Sequence, residues 1–513
     1  MTSLSRSLPQ PVDSSLAAAR LRTWIGRPQS MWIVFSILAA LVWFPRVILR
    51  SFWVDEAGTF WMAHDGLIAA IQKTWHWPGQ SVLYSATASL FCLNSGPLRE
   101  FALRIPTLIG MLAAGYFLYR LAETAIGKGA GLPAVAIFVF NPTSVVLGTE
   151  ARPYGLAVGA AAASTWFLYR YRETSSRKDL AAYIAASTLI VYFHYFFAVI
   201  FCVHFGYLLY ASLIARLPVR WSRVIAAWVA VGVLALPLLP HMLLIAHEAH
   251  TFQYSRKPMV LELIGNLLPM LLAFGLFLSA LLVQFLFPGM LRRAVPLTRP
   301  DTVLALLLWL FGPALLFALS LAVSGNFFFD RYFGYALLGQ ALVLAYAGWS
   351  VFQSEAARVW VLLAAFLSTA SPLAMAAGFH SGQDDLAPML NIIRAESSRG
   401  NLPPVFFSSP LPESNFLNWK AGVAKTYLYA PFVVYPIPNR FLPLPYLPAN
   451  DAKQYVSNAI ESQLTHAREV IFITHQANFS VWVPWMMARM GQAGFTGQVE
   501  QPNVYTVVIF RRQ

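Results

Sequence analysis

Asp55 and Glu56 stand side by side between Trp53 and Trp61, directly after the first long apolar stretch of the chain. Carboxylates at the edge of a bilayer are costly and two neighbours repel, so at least one is expected to hold its proton unusually tightly and to be able to act as a base. The plain alternative is that Asp55 caps the helix running on through Ala57 to Ala63, as short acids at helix starts do. Residue chemistry alone leaves both open. A second group, Glu150-Ala151-Arg152-Pro153-Tyr154, brings an acid, a guanidinium and a phenol to one corner, because proline suits the first turn of the helix that follows. Arginine's planar fork donates two parallel hydrogen bonds to a phosphate; the alternative is a weak Glu150 to Arg152 surface pair. Asp330-Arg331-Tyr332 repeats the pattern after Phe327-Phe328-Phe329 and would suit an amphiphile with an anionic head, or simply anchor the chain at the membrane interface. His247-x-x-His250 with Glu248 has metal-like spacing but no further ligand, and a solvated loop is the reading taken.

The elements that must position these residues are membrane helices. The chain has 513 residues, 58% of them hydrophobic and only 11% charged, far more apolar than a soluble protein. Its formal net charge of +14 is spread over short loops between apolar segments and forms no stripe, which argues against a nucleic-acid partner and for basic loops that hold the cytoplasmic side. Cys92 and Cys202 both lie in apolar surroundings, so neither a disulfide framework nor a cysteine metal site is expected. The polar, Arg-dotted first 30 residues lead straight into a span and do not read as a cleavable signal.

Arg20, Arg22 and Arg27 place the N-terminal tail, residues 1–30, in the cytoplasm, so the loop 50–104 emerges outside. The apolar run Ser81 to Leu93 is shorter than the roughly 20 residues a span requires and is read as a juxtamembrane helix. Later spans are expected at Pro106 to Ala122, Leu132 to Leu147, Pro153 to Tyr169, Leu180 to Phe193, Phe196 to Leu213, Val224 to Ile245, Leu261 to Phe287, Val303 to Val323, Phe333 to Val351 and Trp360 to Ala377. With the first, that gives about 11 spans in residues 31–378, and this parity keeps the basic loops inside. The unusual polar sequences, His194-Tyr195 among them, then share the outer face. After Gly378 the chain turns Pro-rich and mixed polar, with β-like runs at Val405 to Phe407, Val470 to Thr474 and Val504 to Phe510 and helix candidates at Asp384 to Ser397 and Asp451 to Ser462. Residues 379–513 are thus expected to form a small external α/β domain on an all-α polytopic membrane protein.

An acidic pair in the first external loop, a Glu-Ala-Arg-x-Tyr corner, a span ending in Tyr192-Phe193-His194-Tyr195-Phe196 and a late Arg331-Tyr332 corner resemble the C-type membrane glycosyltransferases. The likeness is to glycosyltransferase family 39, the bacterial relatives of dolichyl-phosphate-mannose protein mannosyltransferases and of lipid A aminoarabinose transferases. Phe101 to Pro106 also fits the family's Arg-x-Pro entry to its second span. A departure lies at Pro78 to Tyr84, which has one proline and no lysine where members carry a His-Pro-Pro-Leu-Tyr or Lys-Pro segment.

The resemblance implies inverting transfer of one sugar from a polyprenyl-phosphate carrier to a hydroxyl of a glycan, lipid or protein acceptor, outside the bacterial inner membrane. Asp55 would be the general base; Glu56 would position it, or bind donor or a divalent metal ion. Arg152 and Arg331 would neutralise the leaving lipid phosphate, with Tyr154 and Tyr332 bonding phosphate or sugar. Glu150, His194 and Asp330 would position substrate. The competing class is a polyprenyl-linked sugar flippase, which would use the arginines without bond chemistry and place polar residues nearer mid-membrane. A third reading, an assembly subunit, makes the acids dispensable.

Overall fold

A computed structural model describes residues 28–77, 81–248, 256–268, 300–323, 326–351, 385–399, 402–421 and 426–513. The first helix, α1 (Pro28–Leu49), is apolar and long enough to cross a bilayer. The loop beyond it folds into α2 (Val54–Ala63), α3 (Leu67–His76) and α4 (Val82–Ser89), of which α4 realises the juxtamembrane reading of Ser81 to Leu93 in shorter form. Ser81 starts α4 by accepting a hydrogen bond from the Tyr84 amide at 3.2 Å.

The bundle continues with α5 (Arg99–Ala125), then α6 (Gly131–Val139) and α7 (Pro142–Thr149), then α8 (Tyr154–Thr174) and α9 (Arg177–Phe193). The expected span Leu132 to Leu147 is instead two helices bent by 69° at Asn141-Pro142. The break has a local cause: Pro142 cannot donate within a helix, and Asn141 caps α7 by accepting from the Thr143 amide at 2.9 Å. After a 3₁₀ turn at Tyr195–Val199 come α10 (Ile200–Leu213), α11 (Trp221–Ala235) and α12 (Leu239–Glu248). α13 (Val260–Leu267), α14 (Pro300–Ala322) and α15 (Ala336–Val351) complete the described membrane part.

Five helical stretches are long and apolar enough to cross, with Tyr195–Leu213 and Trp221–His247 each taken as continuous, and six with the bent pair α6–α7, among the described residues. The expected count of about 11 spans is therefore not reproduced on that measure. The expected span Trp360 to Ala377 and most of Leu261 to Phe287 lie outside the described residues, as does His250. α8 and α9 fall short on length or hydropathy, and α8 is enclosed by α5 and α9, so its small residues face protein. A Cβ on Gly110 would strike the backbone of Gly155, and one on Gly159 would strike the Gly110 carbonyl. Only glycine lets α5 and α8 approach this closely, and the crossing brings the start of α8 against Thr107 of α5.

The C-terminal part is an α/β unit: α16 (Ala387–Ser397), β1 (Val405–Ser408), α17 (Ala430–Val434), β2 (Phe441–Leu444), α18 (Asn450–Gln463), β3 (Glu469–His475), α19 (Phe479–Gln492), β4 (Phe495–Glu500) and β5 (Tyr505–Arg512). The sheet order is β2-β1-β3-β5-β4, with β1 parallel to β2 and β3, and β5 antiparallel to β3 and β4. β2, β4 and α19 have no counterpart in the sequence reading. β4 alternates exposed polar residues at the sheet edge, and Pro443 interrupts β2, so neither presents an apolar run.

This unit is docked, not tethered. Arg50 Nη2 meets Asp385 Oδ1 at 2.6 Å, the Leu386 amide donates to the Phe52 carbonyl at 3.1 Å, and the Phe52 amide donates to the Tyr435 hydroxyl at 2.9 Å. Arg99 donates to the Val434 carbonyl at 2.7 Å and lies over the Tyr435 ring, and α17 packs on α2. The helix bearing the acidic pair is thus sandwiched between the bundle and the α/β unit.

Candidate active site

The two acids of the pair occupy different environments because successive residues of a helix point about 100° apart. Glu56 turns into the protein, where 1% of it is exposed, and both its oxygens are held by the Arg104 guanidinium, at 2.7 and 2.8 Å. The Ala151 amide adds a third donor at 2.7 Å and the Trp53 amide a fourth at 3.4 Å. Trp53 is the residue that starts α2, so Glu56, and not Asp55, satisfies the helix entry. Arg104 spends its remaining donors on the carbonyls of Arg46, Val47, Arg50 and Ser51 at 2.9 to 3.2 Å, closing the C-terminal end of α1. The pair Glu56–Arg104 therefore joins α1, α2, α5 and the α7–α8 corner.

Asp55 points the other way. Its carboxylate lies between two guanidinium groups, 3.7 Å from Arg152 Nη2 and 3.6 Å from Arg331 Nη1. Arg152 also donates to the Asp55 carbonyl at 3.4 Å, and its own carbonyl is pinned by Thr107 of α5 at 2.8 Å. The alternative reading, a Glu150 to Arg152 surface pair, is not formed: Arg152 turns to Asp55 instead. The Nε groups of Arg152 and Arg331 are buried without a hydrogen-bond partner, as is the Trp53 Nε1 donor. Buried donors of this kind are nearly always satisfied, so these point to a missing acceptor such as an anion.

Aromatic rings wall the site. His194 lies 5.3 Å from both Tyr154 and Tyr332, Phe196 stacks on Tyr332 at 4.9 Å, and Arg331 lies over the Phe329 and Tyr332 rings. Burial, and then the charges of Arg152 and Arg331, push the His194 imidazole down to about 3, so it is neutral at physiological pH. Its Nδ1 is buried without a partner, and its ring contacts are to these aromatics. Burial pushes the Glu150 carboxyl up to about 8, Glu56 and Asp55 add to the rise, and Arg331 and Arg152 oppose it.

The structure thus gathers Asp55, Glu150, Arg152, Tyr154, His194, Arg331 and Tyr332. Asp330 is exposed and accepts a hydrogen bond from the Arg331 amide at 2.8 Å, which shapes the turn. His247 ends α12 away from this group, and among the described residues no three metal-ligating side chains converge. A divalent metal does not fit Glu56, whose oxygens are taken by Arg104, nor Asp55, which two cations flank. The role of Arg104 was visible in sequence only as part of an Arg-x-Pro entry.

Residues 80–244 match the model of the dolichyl-phosphate-mannose-protein mannosyltransferase family. No curated protein matches the chain at the sequence level. Among solved structures, ArnT from Cupriavidus metallidurans bound to undecaprenyl phosphate matches over 94% of this chain and 98% of its own, at 12% identity and a TM-score of 0.56. The apo state of ArnT superposes more loosely, with a TM-score of 0.43 at 11% identity over the same 94% and 98%. In its matching segment and in a fold shared over nearly its whole length, the chain resembles the C-type membrane glycosyltransferases of glycosyltransferase family 39.

Proposed function

We propose that this protein transfers one sugar from a polyprenyl-phosphate carrier to an acceptor hydroxyl at the membrane face that bears Asp55. The observation that carries this is a single free carboxylate held between two arginines whose buried Nε donors lack acceptors. The ArnT structure with a similar fold holds undecaprenyl phosphate, a ligand of the same chemistry. In the reaction the acceptor oxygen forms a bond to the anomeric carbon as the bond from that carbon to the phosphate oxygen breaks. Asp55 takes the acceptor proton, and Arg152 and Arg331 receive the growing charge of the leaving lipid phosphate. Glu56 is sealed beneath Arg104 and is no second nucleophile, so displacement in one step, with inversion, is the reading these carboxylates support. The docked α/β unit and this face lie outside the bacterial inner membrane, with the N-terminus in the cytoplasm. A flippase has no comparable use for a base held beside an anion site.

Changing Arg152 or Arg331 to lysine keeps a point charge and loses the fork. Turnover is expected to fall by about 10²-fold or more with a smaller loss of binding to undecaprenyl phosphate, whereas alanine weakens both. Single-turnover transfer and lipid-phosphate binding measured on the four variants check this, and parental behaviour in all of them would move the phosphate site elsewhere.

Glu150 supplies a pH dependence. A carboxyl raised above its unfolded value favours the fold in its protonated form, so its stabilising contribution is present at low pH and is lost as pH rises through about 8. Above that value a negative charge also appears beside the lipid phosphate. Affinity for undecaprenyl phosphate is therefore expected to drop on the alkaline side, and Glu150→Gln to abolish the drop. An identical alkaline loss in parent and variant would assign the titration to another group.

A further inference from the structure

The α/β unit brings its own acid to the seam above α2. Glu413 sits on a 3₁₀ turn, Pro412–Asn415, made rigid by its own hydrogen bonds. Its carbonyl accepts from the Phe416 and Leu417 amides at 2.9 and 3.0 Å, and Ser414 Oγ donates to the Leu411 carbonyl and accepts from the Tyr446 amide, each at 2.7 Å. Glu413 Oε2 is nonetheless cut off from solvent and has no hydrogen-bond partner. The charge of Glu413 also acts on Tyr427, which is 6% exposed and whose hydroxyl is likewise without a partner. The Tyr427 ring is clamped against Trp77 at the end of α3, with centroids 3.5 Å apart, and against Trp61 of α2 at 6.3 Å. The tyrosine is thereby fixed to the membrane part, on the helix that bears the acidic pair. Burial pushes the Glu413 carboxyl up to about 7, and the negative charge of Asp55 adds to that rise, so the two carboxyls lie within electrostatic reach of each other.

We propose that Glu413 is the acceptor-recognition carboxylate of the site, binding a second hydroxyl of a saccharide acceptor whose first hydroxyl is presented to Asp55, with the Tyr427 hydroxyl as its neighbour. This rests on the transferase reading above. A carboxylate repels the donor phosphate, so Glu413 serves the other substrate. A lone hydroxyl on a serine or threonine side chain satisfies Asp55 and leaves Glu413 Oε2 and Tyr427 unpaired, a costly arrangement once water is excluded. A sugar carries neighbouring hydroxyls and satisfies both. The acceptor therefore enters along the seam between the membrane helices and the α/β unit, and that unit is part of the active site.

The test returns the full-length chain to membranes lacking it, with their radiolabelled polyprenyl-phosphate-sugar pool as donor. Acceptors are offered as two fractions of the same cell envelope, saccharide-bearing lipid and protein. Glu413→Gln and Glu413→Ala are expected to raise KM for the saccharide-bearing lipid by about tenfold, with kcat at saturation and affinity for undecaprenyl phosphate within about twofold of the parent. Glu413→Asp should recover part of the loss. Unchanged KM in the first two variants, or label entering only the protein fraction, overturns the proposal. Binding of the saccharide-bearing lipid fraction to the purified chain is read alongside. Glu413-dependent binding without any transfer by the parent would overturn the transferase reading while keeping this site, and binding indifferent to Glu413 would overturn the site whatever transfer shows.

Discussion

Asp55→Asn is expected to abolish sugar transfer, by about 10³-fold or more, in a protein that folds and still binds undecaprenyl phosphate. Asparagine matches aspartate in shape and keeps an oxygen between Arg152 and Arg331, but it cannot take a proton. The side chain makes no hydrogen bond that holds the helix entry, because Glu56 does that work, so no structural collapse accompanies the change. The flanking arginines lose a counter-charge in the variant, and affinity for the anionic carrier should if anything rise. Single-turnover transfer in membranes together with binding of the lipid phosphate reads both quantities. Transfer within about tenfold of the parent would remove Asp55 from the role of base.

The second large effect is on folding. Arg104→Ala leaves Glu56 buried with no counter-ion and also frees the carbonyls at the end of α1, so a loss of about 3–5 kcal/mol is expected. That is a large share of the stability of any domain and should appear as loss of folded protein from the membrane. Glu56→Gln keeps one acceptor for the Arg104 and Ala151 donors but leaves a buried guanidinium unpaired, and a loss of similar sign and smaller size follows. Replacing both residues by methionine removes both charges together and should recover the part of the loss due to the unpaired charge, while the α1 carbonyls and the Ala151 amide stay unpaired. Thermal unfolding in detergent across the two single variants and the pair decides this. Equal stability of all three with the parent would show that the pair is not what joins α1, α2 and α5. An inactive Glu56 variant should therefore be examined for folding before any catalytic role is drawn from it.

These expectations invert the usual reading of an adjacent acid pair. Asp55 and Glu56 look alike in sequence, and together they read as one catalytic pair, with Glu56 positioning Asp55 or holding donor or metal. The helix of α2 separates them, one carboxylate toward the open side between two arginines and one toward the bundle beneath a third. Glu150 shows the same principle. Its partner in sequence was Arg152, two residues away, yet that arginine is taken by Asp55, and the carboxyl is left buried with a raised pKa.

What the sequence by itself determined is that this is a membrane protein, and which polar residues stand at the corners of its helices. Apolar segments must leave water, and the residues that cannot enter lipid therefore collect at the corners: Asp55, Glu150 to Tyr154, His194 and Arg331-Tyr332. The continuous apolar runs of β1, β3 and β5 were legible too, because central strands bury both faces. The tertiary structure alone decided which of these residues meet. Arg104 lies 48 positions from Glu56, and Arg331 approaches Asp55 from a corner far along the chain, contacts that no local pattern encodes. The glycines that let α5 and α8 touch read in sequence only as small residues, because a missing Cβ matters only once a second backbone lies against it. Glu413 sits in a stretch with no recognisable motif, and it becomes part of the site because the α/β unit is docked on α2, where burial and the charge of Asp55 act on its carboxyl.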